Sequence, residues 1–360
     1  MAIEKLHVQQ FLQMAMQCPV LDVRSPGEFA HAHIPGAYNL PLFSDEERKV
    51  VGTAYKQESR EKAIKIGLKY FGVKMAVMVE AVEQIIAAKK LPKTPGEKQT
   101  VLVHCWRGGM RSAGVAWLLD LYGFKVYTLA GGYKTFRNWA LQQFEKEYPL
   151  KVIGGYTGSG KTELLHALQQ KKETVIDLEC LANHKGSAFG NLGQPPQPSQ
   201  EMFENKLALK LYNACASIQQ SADNSNNCIW IEDESQRIGN VNLPHNFYRN
   251  KQSAPVYFID IDFEERLSYI VNGYGKFEKD KLVTAIMRIK KRLGGLETKT
   301  AVNCLLEDDV RNAFAVLLKY YDKWYLKGLH QRDALEKLLK KIPCTTVNAK
   351  ENAALVLNAE

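Results

Sequence analysis

A cysteine that ends an apolar run and opens a turn rich in glycine and arginine is the first place in this chain where chemistry can be done. The stretch reads Val101-Leu102-Val103-His104-Cys105-Trp106-Arg107-Gly108-Gly109-Met110-Arg111-Ser112. Backbone N–H groups converging on the thiol, a helix N-terminus behind it and Arg107 and Arg111 beside it should lower its pKa. A thiolate at neutral pH can carry a chalcogen atom as a covalent intermediate. A second loop, Gly155-Tyr156-Thr157-Gly158-Ser159-Gly160-Lys161-Thr162, matches the phosphate-binding P-loop pattern in full. Gly155, Gly158, Ser159 and Gly160 belong to the anion nest. Lys161 would neutralise a terminal phosphate, and Thr162 could ligate Mg²⁺ if that ion is used. A nucleophilic thiol and a phosphate cradle on one chain imply group transfer rather than binding alone.

Each loop needs a strand to deliver it and a helix to follow it. Val101–Val103 reads as a buried strand, and Ser112–Leu121 as the helix after the cysteine loop. Pro19–Arg24 reads as another short strand, which puts Arg24 at a strand end near that loop as a secondary candidate. In the middle of the chain, Lys151–Gly154 feeds the P-loop and Thr162–Gln169 is its helix. Two further strands end in acids: Thr174–Glu179, which carries Asp177, and Cys228–Ile231, followed by Glu232-Asp233-Glu234-Ser235. A Walker-B-like acid belongs at such a strand end, so Asp177, Glu232 and Asp233 are candidates for metal or proton work, with helix capping or solvated charge as the plainer role. His184 is either a structural histidine or, beside Lys185 and Gly186, a substrate contact. Strands alternating with helices predict α/β architecture, with parallel sheets and reactive loops at the strands' carboxyl ends.

The 360 residues are too many for one ordinary domain. The expected division is 1–145 around the cysteine, 146–275 around the P-loop, and a helical, basic extension over 276–360. No run of 18 or more apolar residues is present, so no membrane-spanning helix is expected. The start of the chain lacks the layout of a signal peptide. Seven cysteines without a CxxC pair suit a reducing cytoplasm, and all but Cys105 read as small core residues. The net charge of +9 is uneven: residues 1–145 carry +6, 146–275 carry −3 and 276–345 carry +7. Basic ends around a slightly acidic centre suit a polyanion, and equally suit solvated helix faces. Apolar spacing predicts helices over Leu282–Leu293, capped at Gly294, and over Val310–Leu326. There, Tyr320, Tyr321, Trp324 and Tyr325 interleave with Lys319, Lys323 and Lys327, a face suited to RNA or to a core.

The first segment resembles a rhodanese domain in Asp22-Val23-Arg24-Ser25-Pro26-Gly27-Glu28-Phe29, in His33-Ile34-Pro35-Gly36-Ala37-Tyr38-Asn39-Leu40-Pro41, in the cysteine loop and in Gly131-Gly132-Tyr133. It departs from that pattern twice. Cys105 to Arg111 is C-x5-R, one residue longer than the common rhodanese loop, and with His104 it also outlines a tyrosine-phosphatase loop. A stretch from Val51 to Lys74 is inserted, as a surface helix or as a substrate-facing arm.

Taken whole, the chain resembles the bacterial tRNA 2-selenouridine synthase family. Val51–Gln57, Cys105–Ser112, Gly131–Lys134, the P-loop, Asp177-Leu178-Glu179, His184–Gly190, Glu232–Ser235 and Lys291–Gly294 carry the resemblance. It implies that the sulfur of 2-thiouridine at the tRNA wobble position is alkylated from geranyl diphosphate, and that selenium from selenophosphate then displaces the S-geranyl group. It further implies Cys105 as the selenium-handling nucleophile in a cradle of Arg107, Gly108, Gly109 and Arg111, with the P-loop holding the diphosphate. No tightly bound cofactor is expected, with Mg²⁺ optional. Two other readings remain at this point: a phosphatase-like loop joined to a P-loop kinase in a signalling protein, or a tRNA sulfurtransferase.

Overall fold

The computed structural model describes residues 3–89, 98–220 and 227–359, and the chain divides into two compact units between Gln142 and Gln143.

The first unit runs β1 (Glu4–Leu6), α1 (Val8–Ala15), β2 (Val20–Asp22), α2 (Pro26–His31), β3 (Tyr38–Asn39), α3 (Asp45–Gln57), α4 (Arg60–Gly72), α5 (Met75–Ala88), β4 (Thr100–His104), α6 (Met110–Tyr122), β5 (Lys125–Leu129) and α7 (Gly132–Gln143). Its strands stand in the order β1-β5-β4-β2-β3, and every pairing is parallel. Strands β2 and β4 are buried on both faces, which is why Val20-Leu21 and Val101-Leu102-Val103 are consecutive apolar residues rather than alternating ones. Leu21, Val101 and Val103 pack with Val115 and Leu119 of α6.

Capping boxes set the helix starts in this region: Ser25 with Glu28 opens α2, and Ser44 with Glu47 opens α3. The inserted stretch is more than a surface helix. Phe71 of α4 joins the same core with Val51 and Tyr70 packed against it, and Lys74 at the end of the stretch is paired with Glu47 of α3; helix α5, just beyond it, adds Met78, Val79, Val82 and Ile86.

The second unit runs β6 (Leu150–Gly155), α8 (Lys161–Gln170), β7 (Val175–Ile176), α9 (Leu178–Ala182), α10 (Gln200–Gln220), β8 (Ile229–Glu232), β9 (Arg237–Ile238), β10 (Val241–Asn242), α11 (His245–Gln252), β11 (Val256–Asp260), α12 (Phe263–Tyr274), α13 (Lys279–Arg288), α14 (Lys290–Leu293), α15 (Gly295–Leu306), α16 (Val310–Leu329), α17 (Leu335–Leu338), β12 (Leu339–Pro343) and α18 (Ala349–Asn358). The main sheet, β12-β11-β6-β8-β7, is again wholly parallel.

Here the structure departs from the expected helical extension over 276–360. Helices α13 to α16 do form a cluster with α12, but the chain then returns as β12, pairing with β11 from Val256↔Leu339 to Asp260↔Pro343. Helix α18 packs on α8, the P-loop helix. The strand escaped notice because it is an edge: Lys340 and Lys341 are exposed and Ile342 is buried, too short an alternation to read.

One charged knot ties these elements together. Asp233, just past β8, accepts from Lys251 Nζ at 2.7 Å, Arg332 Nη2 at 2.5 Å and Tyr325 Oη at 2.9 Å. Burial opposes its charge, but Lys251 and Arg332 hold the carboxyl near a pKa of about 2. Lys251 is wholly buried, so removing it strips a desolvated ion pair of one partner. Lys251→Met should therefore destabilise this unit by about 3 kcal/mol, read from its urea transition. A loss below about 1 kcal/mol would show the knot to be dispensable.

Candidate active site

Strand β4 ends at His104 and hands over directly to Cys105, whose side chain is buried. The Ser112 hydroxyl lies 3.2 Å from the sulfur, and the backbone amides of Ser112, Arg107 and Gly109 also bond to it. Burial by itself would raise the thiol's pKa. The Ser112 hydroxyl and the three amides outweigh that effect and hold it below the ordinary cysteine value.

The loop is closed from behind by the start of α7. Tyr133 N donates to Cys105 O at 2.8 Å and Lys134 N to Trp106 O at 3.0 Å. Gly132, with φ +63°, approaches so closely that a Cβ there would stand 2.3 Å from Cys105 O. That contact explains why the sequence closes with Gly-Gly-Tyr.

Arg24 was expected at a strand end near the cysteine loop as a secondary candidate, and it lies there, 5.9 Å from the centre of the Trp106 ring, but buried beneath the loop. It is 1% exposed, bonds Asp22 at 2.6 Å and Ala32 O at 2.8 Å, and lies 3.9 Å from the centre of the Tyr133 ring. It braces the loop from below. His104 is wholly buried near Asp22, and burial lowers its pKa. Of the cradle residues, Arg107 and Gly109 are exposed, and Arg111 donates to Glu28 at 2.9 Å. Glu28 also meets Arg48 at 2.8 Å. Burial pushes its carboxyl up, but Arg111 and then Arg48 bring it below the usual range, so it stays ionised.

In the second unit, the P-loop lies between β6 and α8, as the motif requires. Gly160 caps α8 in the left-handed region, with φ +71°. Ser159 is buried and bonds the Tyr156 carbonyl at 2.8 Å. Lys161 Nζ donates to Gly155 O at 3.0 Å, and Thr162 Oγ1 donates to Glu179 Oε2 at 2.8 Å. Gly155 N in turn donates to Tyr325 Oη at 3.0 Å.

The three acids singled out in the sequence behave differently from one another. Asp177 caps α9, accepting from Cys180 N at 2.7 Å, and pairs with His166 at 3.0 Å. Asp233 is engaged by its three donors, so neither metal nor proton work falls to it. Glu232 is buried and accepts from Glu179 N through Oε1 at 2.7 Å, while Oε2 has no hydrogen-bond partner. Burial, then the charges of Asp177 and Glu179, push its pKa well up. The sequence did not single out Glu179 or Glu234, although both flank chosen acids. Burial and the Glu179 charge push Glu234 up to about 8.

Smaller corrections follow. Cys180 is exposed rather than a core residue. The aromatic face of α16 is divided: Tyr321 and Tyr325 point inward on hydrogen bonds to Ala188 N and Gly155 N, whereas Trp324 is exposed with Lys327 Nζ 5.1 Å from its ring centre.

Fold and loops together define a rhodanese-type protein carrying a second, P-loop unit. Residues 7–138 match the rhodanese-like domain family, and residues 148–341 match the family described as the tRNA 2-selenouridine synthase AAA domain. A tRNA 2-selenouridine synthase of Shewanella denitrificans is 34% identical over 364 residues, covering 90% of this chain and 92% of the relative. One from a Sulfurovum species is 36% identical over 341 residues, covering 85% and 87%. The chain belongs to the tRNA 2-selenouridine synthase family.

The Cys105 geometry makes a pH prediction. A thiol with a lowered pKa stays reactive below the pH at which a free cysteine loses its thiolate. Ser112→Ala removes a donor to the sulfur, so the midpoint of Cys105 alkylation by iodoacetamide, followed by peptide mass spectrometry, should move to higher pH. An unmoved midpoint would remove Ser112 from the account.

Proposed function

We propose that this chain replaces the sulfur of 2-thiouridine at the tRNA wobble position with selenium, by way of an S-geranyl intermediate. The chain is a tRNA-modifying transferase. The co-substrates of our reading are geranyl diphosphate and selenophosphate, and its site of work is the cytoplasm. No helix among the described residues is long and apolar enough to cross a membrane.

In the first step the thiocarbonyl sulfur forms a bond to the terminal carbon of the geranyl chain, and pyrophosphate leaves with the electron pair. The P-loop amides and Lys161 suit that developing charge. The residues also fit a magnesium ion. Among the described residues no three His, Cys, Asp or Glu form a metal cage. Thr162, Glu179 and the unpartnered Oε2 of Glu232 are the oxygens that would hold it, and the ion would add positive charge at the leaving pyrophosphate.

In the second step the Cys105 thiolate attacks the phosphorus of selenophosphate, and hydrogen selenide leaves. Selenide adds at C2 of the base and the geranyl thiolate departs. Water then cleaves the phosphorus–sulfur bond and returns Cys105 with release of phosphate. Attack at selenium instead would form a sulfur–selenium bond and expel phosphite, with sulfur and selenium oxidised as phosphorus is reduced, and would leave no selenide to add at C2.

The observation that carries this reading is the state of Glu28. It is the carboxylate bonded to the loop arginine, and Arg111 and Arg48 keep it ionised. A phosphatase loop needs an acid to protonate an alkoxide leaving group, whereas selenide is a weak base and leaves without one. The phosphatase-like alternative loses ground for the same reason.

Thiolated tRNA incubated with geranyl diphosphate and then with selenophosphate, with nucleosides read by mass spectrometry, tests the scheme. Cys105→Ser should alkylate but not selenate, while Lys161→Ala should lose about a hundredfold or more in alkylation. Loss of both steps in Cys105→Ser would overturn the division of labour.

A further inference from the structure

Beside Cys105, within the first unit, lies a cavity of about 1060 Å³. One wall is the cysteine loop with the start of α6, and the other is the inserted helices α3 and α4. Ile64, Leu68 and Phe71 face Met110 and Trp117 across it. Arg48, Lys49, Lys56, Arg107 and Arg111 also line it; among the described residues no carboxylate does, and Glu28 behind the lining pairs with Arg48 and Arg111. Several of its apolar side chains are unusually exposed: Leu68 by 59%, Met110 by 53% and Trp117 by 52%. Large apolar side chains left in water around a nucleophile mark a ligand site rather than a packing fault.

Two features narrow the ligand. Glu28 meets two of these cations, Arg48 and Arg111, and the lining with Lys49, Lys56 and Arg107 still suits an anion, yet selenophosphate alone is small and fully polar and leaves the apolar wall without purpose. The volume is at the upper end of small-molecule pockets, which run to about 1,000 Å³. Gly52 adds a third observation. It lies inside α3, where a helix disfavours glycine, and it lines the cavity. A Cβ there would meet no atom within 4 Å, so no neighbouring atom requires a glycine at this position, and a larger side chain would occupy the space instead.

We infer that this cavity is the binding site for the ten-carbon prenyl chain of the S-alkylated nucleobase, with the RNA phosphates on its cationic lining. The inference rests on the two-step reading above and deepens it. The prenyl group is not only what makes sulfur leave; it is the handle by which the second step holds its substrate at Cys105. Discrimination between alkylated and unalkylated tRNA then resides in the inserted helices.

The test is selenation by the full chain of anticodon stem-loops bearing S-methyl, S-prenyl (five-carbon) or S-geranyl 2-thiouridine, at fixed selenophosphate. Wild type should favour S-geranyl over S-methyl by about tenfold or more in kcat/KM, since each buried methylene adds to transfer from water. Gly52→Phe, which fills the space, and Leu68→Glu, which puts charge on an already exposed position, should remove that preference while leaving the S-methyl rate within about twofold. Equal wild-type rates on all three substrates would overturn the inference. So would variants that slow all three alike. Cys105→Ser reports separately: selenation retained in it would sink the role of Cys105, with the chain-length preference still measurable in wild type.

Discussion

A buried guanidinium beneath the cysteine loop is the constraint on which the first unit depends. Arg24 is out of water, so its charge must be met locally, and Asp22, the Ala32 carbonyl and the face of Tyr133 meet it. Each of those partners also fixes something else. Asp22 ends β2, and Tyr133 donates its amide to the Cys105 carbonyl. Satisfying one charge thus sets the strand end and the helix start between which the sulfur lies. The loop's own amides can then point at the thiolate at no further cost of ordering.

The second unit solves a similar problem with the opposite sign. Asp233 is the buried charge, and its donors come from α11, α16 and the segment after α16. Tyr325 belongs to both the knot and the P-loop, since its hydroxyl also accepts from Gly155 N. Neighbouring Glu232 and Glu234 are pushed the other way, because burial and then nearby acids, Asp177 and Glu179 for Glu232 and Glu179 for Glu234, outweigh what opposes them, including Lys161 and Lys251 at Glu234. Three consecutive acids at one strand end therefore divide two ways, Asp233 held down and Glu232 and Glu234 pushed up, decided by what faces each one.

Much of this was legible in the sequence, and the exceptions have physical causes. The cysteine loop, the P-loop and the parallel α/β architecture follow from local order: apolar runs, glycines where the backbone must turn left-handed or pack close, and cations beside them. What could not be read is what depends on distant partners. Arg24 looks like a site residue until Tyr133 is seen over it, and Asp233 looks like a metal ligand until Lys251 and Arg332 arrive from far along the chain. Strand β12 carries too few apolar positions to announce itself, and its pairing with β11 decides its state. The inserted helices looked like either surface or arm because their apolar residues divide between a core and a cavity wall.

The insertion also has a bearing on how such a sheet can change its chemistry. Helices α3 to α5 occupy the crossover from β3 to β4, which passes over β2, and the register of the strands does not depend on the crossover's length. The nucleophile is built by β4, α6 and α7, whereas the facing wall is built by the crossover. Nucleophile and facing wall are therefore supplied by separate segments of the chain. A different helical graft between the same two strands could present another leaving group to an unaltered thiolate.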